Sequence, residues 1–581
     1  MAAAGDINQN EEAYTSPHKR LTNSTSPSSR HHKFMSVPGV NIMVMTISGK
    51  FTHVPMNIHY SIKNILRSNS QDAYDRDDPM IILEDALTLC KFGKFHIRLL
   101  LASFCTIFAT VIVTTTSSFI LPIAECDLQM DIMMKGWLNA TPFFGQIATS
   151  LFVGFLVDTF GRRIFLLSGN IGMFVITLLE GSSQTYWMLI FVKLIQGVVM
   201  SLSFTAISTM VSEFIPKGIR DKVLLLQGSF MSISLILLSL ISWAILPQKI
   251  HFVILKGYFE LRSWNIYIYV CSIWSLIAAI LYYTIPESPK FLLSQGRNKE
   301  ALDVLKKIYR ENTGNYEDSF QIKTIKTKIQ PKNKQTVAKQ IVNSLFEVKH
   351  LLVGKLVTRL ILLSIVTFVC LSTYTCLRLW YPQLSTIVEN YYKDTGHYSR
   401  FCEMIEHKPN TSSTYTVSGN EICQPIISGS ETYTNVIILG IASVLFVSVS
   451  GFVVNLMGHK LLLFIIMISC AICSGGLYFT NSSIQVALLI SATCALMQTN
   501  GSLQMNIVVR VFPTQLRALA FAIVIIVGRI GSLLGNVLFP VLLKMGCMAP
   551  FFTLSGASLC LSGLVFFLPD PNKENKDVGD K

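Results

Sequence analysis

Twelve long apolar runs dominate this chain and limit what it can fold into. A helix needs about 20 apolar residues to cross roughly 30 Å of hydrocarbon, and each run is close to that length. The predicted spans are 97–122, 137–157, 164–183, 187–210, 222–246, 264–285, 356–381, 433–456, 460–480, 484–509, 517–541 and 549–568. Only 14% of the residues are charged, well below the usual share in soluble domains. We therefore predict an all-α membrane protein with twelve spans.

Lysine and arginine residues near the span ends predict the orientation, because such residues are retained on the cytosolic side of a membrane. The connector 286–355 carries fourteen of them against seven acidic residues, and the loop 383–432 carries three against six. We expect both termini and the connector to be cytosolic. Since the net charge of +14 is spread over such connectors, it indicates membrane topology and no nucleic-acid partner.

Five regions follow from the span count. They are a cytosolic and largely disordered tail over 1–90, a six-helix bundle over 91–285, the cytosolic connector over 286–355, a second six-helix bundle over 356–568 with the lumenal loop 383–432, and a cytosolic tail over 569–581. Within the connector, apolar residues recur at helical spacing, which predicts an amphipathic helix. These residues are Ala301, Leu302, Leu305 and Ile308.

Two short motifs each occur twice, 297 residues apart. The stretch GFLVDTFGRR at 154–163 returns as GFVVNLMGHK at 451–460, and EFIPKGIR at 213–220 returns as RVFPTQLR at 510–517. Repeats at a fixed offset indicate duplicated structural units. We predict two bundles of common design, related by an axis along the membrane normal.

These motifs resemble those of a known family of membrane proteins. GFLVDTFGRR resembles the loop motif of the major facilitator superfamily, and EFIPKGIR and PESPKFLL resemble motifs of its sugar and organic-ion transporter branches. KGWLN, LWYPQL and FPTQLRALAF resemble the synaptic vesicle glycoprotein 2 family, and the match extends over 82–568. The resemblance implies a transporter fold that works by alternating access. The large lumenal repeat domain of some members has no counterpart, since only 383–432 separate the seventh and eighth spans.

Charged residues at the first copy of the loop motif predict a gate on the cytosolic side. Asp158 can pair with Arg162 or Arg163, and the nearby glycines allow a tight turn and close helix packing. The resemblance implies that such a cluster holds the two bundles together in the outward-facing state. Its predicted members are Gly154, Asp158, Gly161, Arg162, Arg163, Glu213, Arg220 and Arg517. The alternative is that the cluster only marks the cytosolic border.

The second copy of these motifs has lost its acidic residues. Asn455 stands in place of the aspartate, and Arg510 stands in place of the glutamate. Acidic residues from the first bundle could supply the pairing, or the closed state could be weakened. The pattern leaves both alternatives open.

Ionisable and polar side chains within the spans are the best candidates for a solute or coupling site. A charge inside the bilayer costs about 2.5–3.5 kcal/mol unless it faces a wet cavity. The candidates are Lys193, Gln196, Arg529, Asn500, Arg378 and Tyr374. Three of these are cations, and the only acid within the predicted spans is Glu180, which we expect at the lumenal interface. This positive balance favours an anionic or zwitterionic solute.

Most candidates also have a simpler interpretation. Arg378 can extend to the lumenal interface, which is the favoured interpretation for it, and Tyr374 can belong to an aromatic belt. Asn500 can bond one helix to another. For Arg529, near the middle of its span, a cavity role is favoured. Lys193 in KLIQG resembles a fourth-span motif of the family, and both interpretations stay open for it.

The lumenal side contributes candidate modification sites. Cys402 and Cys423 flank a polar loop in an oxidising compartment and can form a disulfide, although Cys126 and Cys547 face the same side. Asn410 in NTS is the best-placed glycosylation site. No metal site and no cofactor site is predicted.

The leading hypothesis is a secondary or facilitative transporter of a small organic solute. It would be driven by the solute gradient or by a coupled proton or other ion. Motifs for nucleotide binding, zinc binding and nucleophilic catalysis are missing from the sequence, which argues against an enzyme. We expect a monomer in the plasma membrane or in an intracellular vesicle membrane. The alternative, favoured by the missing acids, is a vesicle or trafficking protein that retains the fold but moves no solute.

Overall fold

The described part of the chain falls into two units. The computed structural model describes residues 43–45, 51–53, 79–255, 258–325, 355–407, 415–417, 420–422, 428–513 and 516–567. The units are 1–75 and 76–581. In the first, strand β1 (Met43–Met45) pairs antiparallel with strand β2 (Phe51–His53). The second contains the membrane helices.

Eleven helices in the described part of the chain are long and apolar enough to cross a membrane. A further helix is bent by 57° between Ser150 and Phe152 and forms a twelfth span if its two parts cross together. In chain order, spans 1 to 12 are Lys94–Ile120, Ile132–Phe160, Arg162–Gly181, Tyr186–Phe214, Lys217–Ile245, Ser263–Thr284, Lys355–Thr395, Ser430–Met457, His459–Gly476, Ser483–Val511, Arg517–Lys544 and Met548–Val565. The predicted all-α membrane class is confirmed.

Capping side chains explain where three of the spans begin. Asp131, Thr185 and Ser482 each accept a hydrogen bond from the backbone N–H three residues further on, at 2.6, 3.4 and 3.4 Å. Such bonds satisfy donors that have no partner within the first helical turn. Short polar side chains thus fix the start of spans 2, 4 and 10.

Span 7 is longer than the sequence analysis predicted. The helix continues through Pro382 to Thr395, because Leu384 and Val388 beyond the proline are buried in a hydrophobic cluster. The predicted loop 383–432 therefore begins as helix. After it come a short helix, Phe401–Glu406, and a hairpin of strands Tyr415–Val417 and Asn420–Ile422.

The fold also begins earlier than predicted. The helix Pro79–Leu89 lies within the tail that was expected to be largely disordered, and its Leu83, Ala86 and Leu87 side chains are buried. The helix packs into the same cluster as the connector helix Asn298–Thr313, so the end of the tail is folded against the membrane unit. That helix buries Ala301, Leu305 and Ile308, while Leu302 packs at its edge.

Three large hydrophobic clusters show how the two bundles meet. We call the end at which span 1 begins the connector end, and the end near Cys402 and Cys547 the disulfide end. The cluster in the disulfide half draws on both bundles and includes Phe119, Leu238, Tyr381, Tyr433 and Phe539. In the connector half, one cluster draws only on residues 83–325 and another only on residues 360–565. Among the described residues, the bundles therefore share a hydrophobic core only in the disulfide half.

Candidate functional site

A chain of polar side chains joins the two bundles midway along the spans. On span 7, the Tyr374 hydroxyl donates to Gln498 Oε1 on span 10 at 3.5 Å. The Gln498 amide in turn donates to the Ser232 hydroxyl on span 5 at 3.1 Å. Since span 5 belongs to the first bundle and spans 7 and 10 to the second, this chain lies at the boundary that a transporter of this architecture uses for its solute.

Arg378 lies one turn beyond Tyr374 and also contacts the first bundle. Its Nη1 donates to Thr115 Oγ1 on span 1 at 3.0 Å, and its guanidinium lies 5.3 Å from the centre of the Tyr374 ring. Arg378 is only 6% exposed. The favoured expectation that it extends to the lumenal interface is therefore wrong. Span 7 continues well past this position, so Arg378 is enclosed between helices.

Arg529 forms a second buried cationic contact between the bundles. It is 8% exposed, and its Nη1 donates to the Gln146 carbonyl at 3.4 Å and to the Ser150 hydroxyl, both on span 2. Within the described part of the chain, neither Arg378 nor Arg529 has a carboxylate at ion-pair distance. The boundary between the bundles thus carries two cations. Hydroxyl and carbonyl groups contact them, but no carboxylate of the described residues neutralises them.

Lys193 has a different environment, because an acid neutralises it within the first bundle. Its Nζ lies 2.8 Å from Glu180 Oε1, and both side chains are 0% exposed. Nζ also donates to the Val113 carbonyl at 3.1 Å and to Thr116 Oγ1 at 2.8 Å. Gln196 donates to Glu180 Oε2 at 2.6 Å. Lys193 and Gln196 both contact Glu180, as their shared motif suggests. All of these contacts lie within the first bundle.

Glu180 was expected as an interfacial residue, and this expectation is wrong. It lies at the end of span 3, whereas Lys193 lies about 10 Å into span 4 at 1.5 Å per residue. Helical side chains lean toward the helix N-terminus, which carries the lysine back toward the turn between these spans. That lean, applied to the sequence, would have identified the pair.

Asn500 belongs to a network inside the second bundle. Its amide donates to Cys370 Sγ at 2.9 Å and to Met467 Sδ at 3.3 Å, and Gln504 donates to its oxygen at 3.0 Å. These partners lie on spans 7, 9 and 10. Asn500 therefore joins helices of one bundle, which was the simpler of its two interpretations.

At the connector end, Arg162 is the centre of the predicted gate. Its Nη2 lies 2.9 Å from Asp158 Oδ1 and 3.3 Å from Glu213 Oε1. The guanidinium also lies 5.1 Å from the centre of the Phe291 ring. The three charged residues belong to the first bundle, and Phe291 lies on the short helix Pro289–Ser294 that follows it.

Glu287, in the PESP motif, holds the turn between spans 2 and 3. Gly161 has φ of +101°, and a Cβ there would collide with the Glu287 carboxylate. That carboxylate accepts hydrogen bonds from the backbone N–H groups of Arg162 and Arg163, both at 3.1 Å. The Arg163 side chain donates to the Tyr283 carbonyl at 2.8 Å. Glu287 was missed because no local pattern links it to a turn 125 residues away.

Several predicted gate residues lie elsewhere. Arg220 pairs with Glu84 at 2.7 Å, so the expectation that it extends the Arg162 network is wrong. A Cβ on Gly154 would have no atom within 4 Å, so in this conformation Gly154 permits no close helix contact. Arg517 lies at the start of span 11, and its Nε has no hydrogen-bond partner among the described residues. The side chain of Asn455 lies outside the described part.

The disulfide prediction requires a correction. Cys402 is bonded to Cys547, with 5.4 Å between their Cα atoms, so the predicted pairing with Cys423 is wrong. The helix Phe401–Glu406 lies against the start of span 12, where Glu406 Oε1 accepts from the Cys547 N–H at 3.1 Å. Cys126 is also disulfide-bonded. Cys423 and the predicted glycosylation site Asn410 lie outside the described residues.

No group of three or more histidine, cysteine, aspartate or glutamate side chains suited to a metal ion occurs among the described residues. The polar groups assembled between the bundles are hydroxyl, amide and guanidinium groups. Such groups can donate hydrogen bonds and attract negative charge. A two-bundle membrane helix protein with such a boundary is of the transporter class.

The comparisons with known families identify the superfamily. Residues 91–385 match the family of sugar (and other) transporters, and residues 410–581 match the major facilitator superfamily. The first match covers just over half of the chain. This chain therefore belongs to the sugar (and other) transporter family of the major facilitator superfamily. These families consist of transporters and not of enzymes, as the sequence analysis expected.

Similar proteins include two synaptic vesicle glycoproteins. Synaptic vesicle glycoprotein 2A of Rattus norvegicus is 28% identical over 264 residues, which are 45% of this chain and 36% of that protein. Synaptic vesicle glycoprotein 2B of Rattus norvegicus is 23% identical over 366 residues, which are 59% and 52% of the two chains. This chain thus spans about a third to a half of the length of these relatives. The predicted resemblance to their branch is confirmed.

Solved structures confirm the fold. The inward open conformation of the xylose transporter XylE from E. coli gives a TM-score of 0.55 at 16% identity, and the match covers 82% of this chain and 96% of XylE. The nucleoside transporter NupG gives a TM-score of 0.52 at 13% identity, covering 81% and 99%. Both are transporters, and the likeness shows that this chain shares their fold.

Proposed function

We propose that this protein is a secondary transporter that moves a small organic solute by alternating access, with anionic or zwitterionic solutes favoured. The observation that carries the proposal is the pair of buried cations, Arg378 and Arg529, at the boundary between the bundles. An enclosed charge without a nearby acid is costly in a membrane. A negatively charged solute group that enters between the bundles would reduce that cost.

The distribution of hydrophobic contacts supports alternating access. The two bundles share one cluster in the disulfide half, while the clusters in the connector half each belong to one bundle. Rigid bundles with this arrangement can rock about contacts midway along the spans. In our proposal, Tyr374, Gln498 and Ser232 belong to that middle region and meet the solute from opposite bundles.

The ion pair of Lys193 and Glu180 reduces the number of cations that favour an anionic solute. Lys193 adds to the positive balance of the sequence, but a carboxylate lies 2.8 Å from its ammonium group. The preference for an anion therefore rests on Arg378 and Arg529 alone. Carboxylate, sulfonate and phosphate groups suit guanidinium donors well, because two parallel hydrogen bonds can form.

The Arg162 cluster is proposed to act as the gate at the connector end. In the conformation described, Arg162 contacts two acids of its own bundle, Asp158 and Glu213. The equivalent positions of the second bundle have no acidic residue, and Arg510 stands at the position equivalent to Glu213. When the connector end closes, the first bundle's acids would supply the negative partners for basic residues such as Arg510 and Arg517.

We also propose that the connector end faces the cytosol, with both termini on that side. The basic connector supports this orientation. The Cys402–Cys547 bond at the other end supports it as well, since disulfides persist in lumenal and extracellular compartments. The names of the similar vesicle glycoproteins favour a vesicle membrane over the plasma membrane. A coupled proton or other ion and a monomeric state remain part of the proposal.

Uptake by the purified protein in liposomes tests the function. Labelled organic anions, zwitterions and cations are offered with and without a pH gradient, to wild type and to the Arg378→Gln and Arg529→Gln variants. We expect uptake of an anion or zwitterion that both substitutions reduce. The matched control is Arg297→Gln, which removes an exposed arginine paired with Glu300 on the connector.

Three outcomes separate the alternatives. Uptake of cations alone, unaffected by either variant, would refute the solute class but keep the transporter. Uptake of every class at the level of empty liposomes would refute the transporter and favour the vesicle protein that moves no solute. A melting temperature that falls together with uptake would show that a variant had lost its fold, and Lys in place of Arg then tests the charge.

A further inference from the structure

A basic pocket lies at the connector end, away from the boundary between the bundles. It has a volume of about 430 Å³, and its wall includes Arg98, Arg163, Tyr283 and Lys307. Arg98 lies near the start of span 1, Arg163 near the start of span 3 and Tyr283 near the end of span 6. Lys307 is on the connector helix Asn298–Thr313. All four residues thus lie at the connector end.

The charges in this pocket are only partly balanced. Arg98 pairs with Glu311 at 2.9 Å, and Glu287 near Arg163 is occupied by two backbone N–H groups at the start of span 3. Within the described part of the chain, Lys307 has no carboxylate at ion-pair distance. The pocket therefore has a surplus of positive charge.

The edge of the pocket is apolar and faces outward. Tyr283 lines it, and Phe160 and Ile164 line the adjoining pocket that shares Arg163 and Tyr283. All three of these side chains are exposed. On a membrane protein, an exposed apolar side chain at a span end contacts acyl chains or the interface. A ligand here meets cations on one side and lipid on the other.

We propose that this pocket binds the phosphate headgroup of an anionic phospholipid. Basic pockets between span ends suit such headgroups, because clustered lysine and arginine attract their charge. Guanidinium groups bind phosphate oxygens in a bidentate manner. The apolar edge favours a lipid over a soluble phosphate compound, since the acyl chains would lie beside Tyr283. The site is independent of the solute site and of the proposed transport.

Lys307→Ala is the sharpest test. Lys307 is exposed and makes no ion pair among the described residues, so its loss leaves the fold intact. The matched control is Lys306→Ala, the same change at the preceding residue, which lines neither pocket. The full-length protein in phosphatidylcholine nanodiscs is measured for binding of phosphatidylinositol bisphosphate, by native mass spectrometry and by thermal stabilisation. We expect roughly fivefold weaker binding for Lys307→Ala and unchanged binding for the control.

Two results would overturn the proposal. One is equal binding by Lys307→Ala, Lys306→Ala and the wild type. The other is equally tight binding of soluble inositol trisphosphate, which would assign the pocket to a free phosphate compound. Because no transport is measured, failure here leaves the transporter proposal untouched, and failure of uptake leaves this one untouched.

Discussion

The ion pair of Glu180 and Lys193 combines two enclosed charges with a complete set of polar neighbours. Each carboxylate oxygen has at least one donor, and the ammonium has three acceptors. Such a pair contributes little net stability compared with an apolar substitute, but loss of one partner strands the other. The pair therefore makes the first bundle sensitive to single substitutions at either position.

Glu180→Gln should lower the free energy of unfolding by about 3–5 kcal/mol, because it leaves the Lys193 ammonium buried without a counter-charge. Lys193→Met should cost a similar amount. The double variant should recover most of the loss, since no charge remains to be stranded. Thermal unfolding of the four proteins in detergent measures this. Losses that simply add in the double variant would contradict the coupling.

Gly161→Ala should destabilise the turn between spans 2 and 3 by about 1–3 kcal/mol. The position has φ of +101°, which a side chain disfavours, and the added Cβ would collide with the Glu287 carboxylate. Gly154→Ala is the matched control, because a Cβ there meets no atom within 4 Å. Melting temperatures provide the measurement, and an equal effect of both substitutions would argue against the strain.

At the scale of helices, the short helix Phe401–Glu406 ties span 7 to span 12. The disulfide to Cys547, the Phe401 N–H bond to the Thr480 carbonyl at 3.0 Å and the Phe401–Phe551 ring contact hold it in place. These contacts close the disulfide end of the second bundle. They leave the first bundle untouched.

Cys402→Ser should lower the stability of the protein by about 2–5 kcal/mol. The bond closes a loop of 145 residues, and long loops gain most from a cross-link in the chain-entropy account. Cys560→Ser is the control, since Cys560 is a free, exposed cysteine on span 12. Unfolding under non-reducing and reducing conditions measures the difference. Reducing agent should remove the difference between the wild type and Cys402→Ser, because it breaks the Cys402–Cys547 bond in the wild type and opens the disulfide of Cys126 in both proteins. Equal stability of the two proteins under non-reducing conditions would contradict a structural role.

Helix existence followed from sequence, whereas helix ends and partners did not. Runs of apolar residues located the spans because a membrane demands length and apolarity from each segment alone. The extension of span 7 past Pro382 depends on burial of Leu384 and Val388 against other helices. The same holds for residues of the site. KLIQG located Lys193 and Gln196, and the lean of helical side chains would have added their partner Glu180. The contact of Glu287 with the turn between spans 2 and 3 depends instead on packing between segments 125 residues apart.

At the scale of the membrane unit, the internal repeat predicted two bundles. Among the described residues, these bundles share a hydrophobic cluster in the disulfide half but not in the connector half. The connector half of span 2 carries Gly154 without a neighbour near its Cβ. If the connector end closes during transport, the bundles approach each other in this half. Gly154 then becomes a contact in the other state.

Gly154→Leu should reduce solute uptake about tenfold without lowering the melting temperature. Overpacking typically costs about 1–3 kcal/mol. Here the cost falls only on the conformation whose connector end is closed, so the population of that conformation drops about tenfold. Gly556→Leu on span 12 is the matched control, because its Cβ also meets open space. Uptake by liposomes and thermal unfolding are compared for both variants. Normal uptake by Gly154→Leu would show that this part of span 2 stays clear of the second bundle.

The buried ion pair also has an electrical consequence. A full elementary charge moved across a bilayer couples to the voltage by about 2.3 kcal/mol per 100 mV. Glu180 and Lys193 lie 2.8 Å apart in one bundle, so they move as a neutral unit and displace no net charge when that bundle rocks. Among the described residues, no carboxylate lies at ion-pair distance from Arg378 or Arg529. A current that accompanies the proposed transport cycle would therefore come from these two arginines, from the solute and from any coupled ion, and not from the Glu180–Lys193 pair.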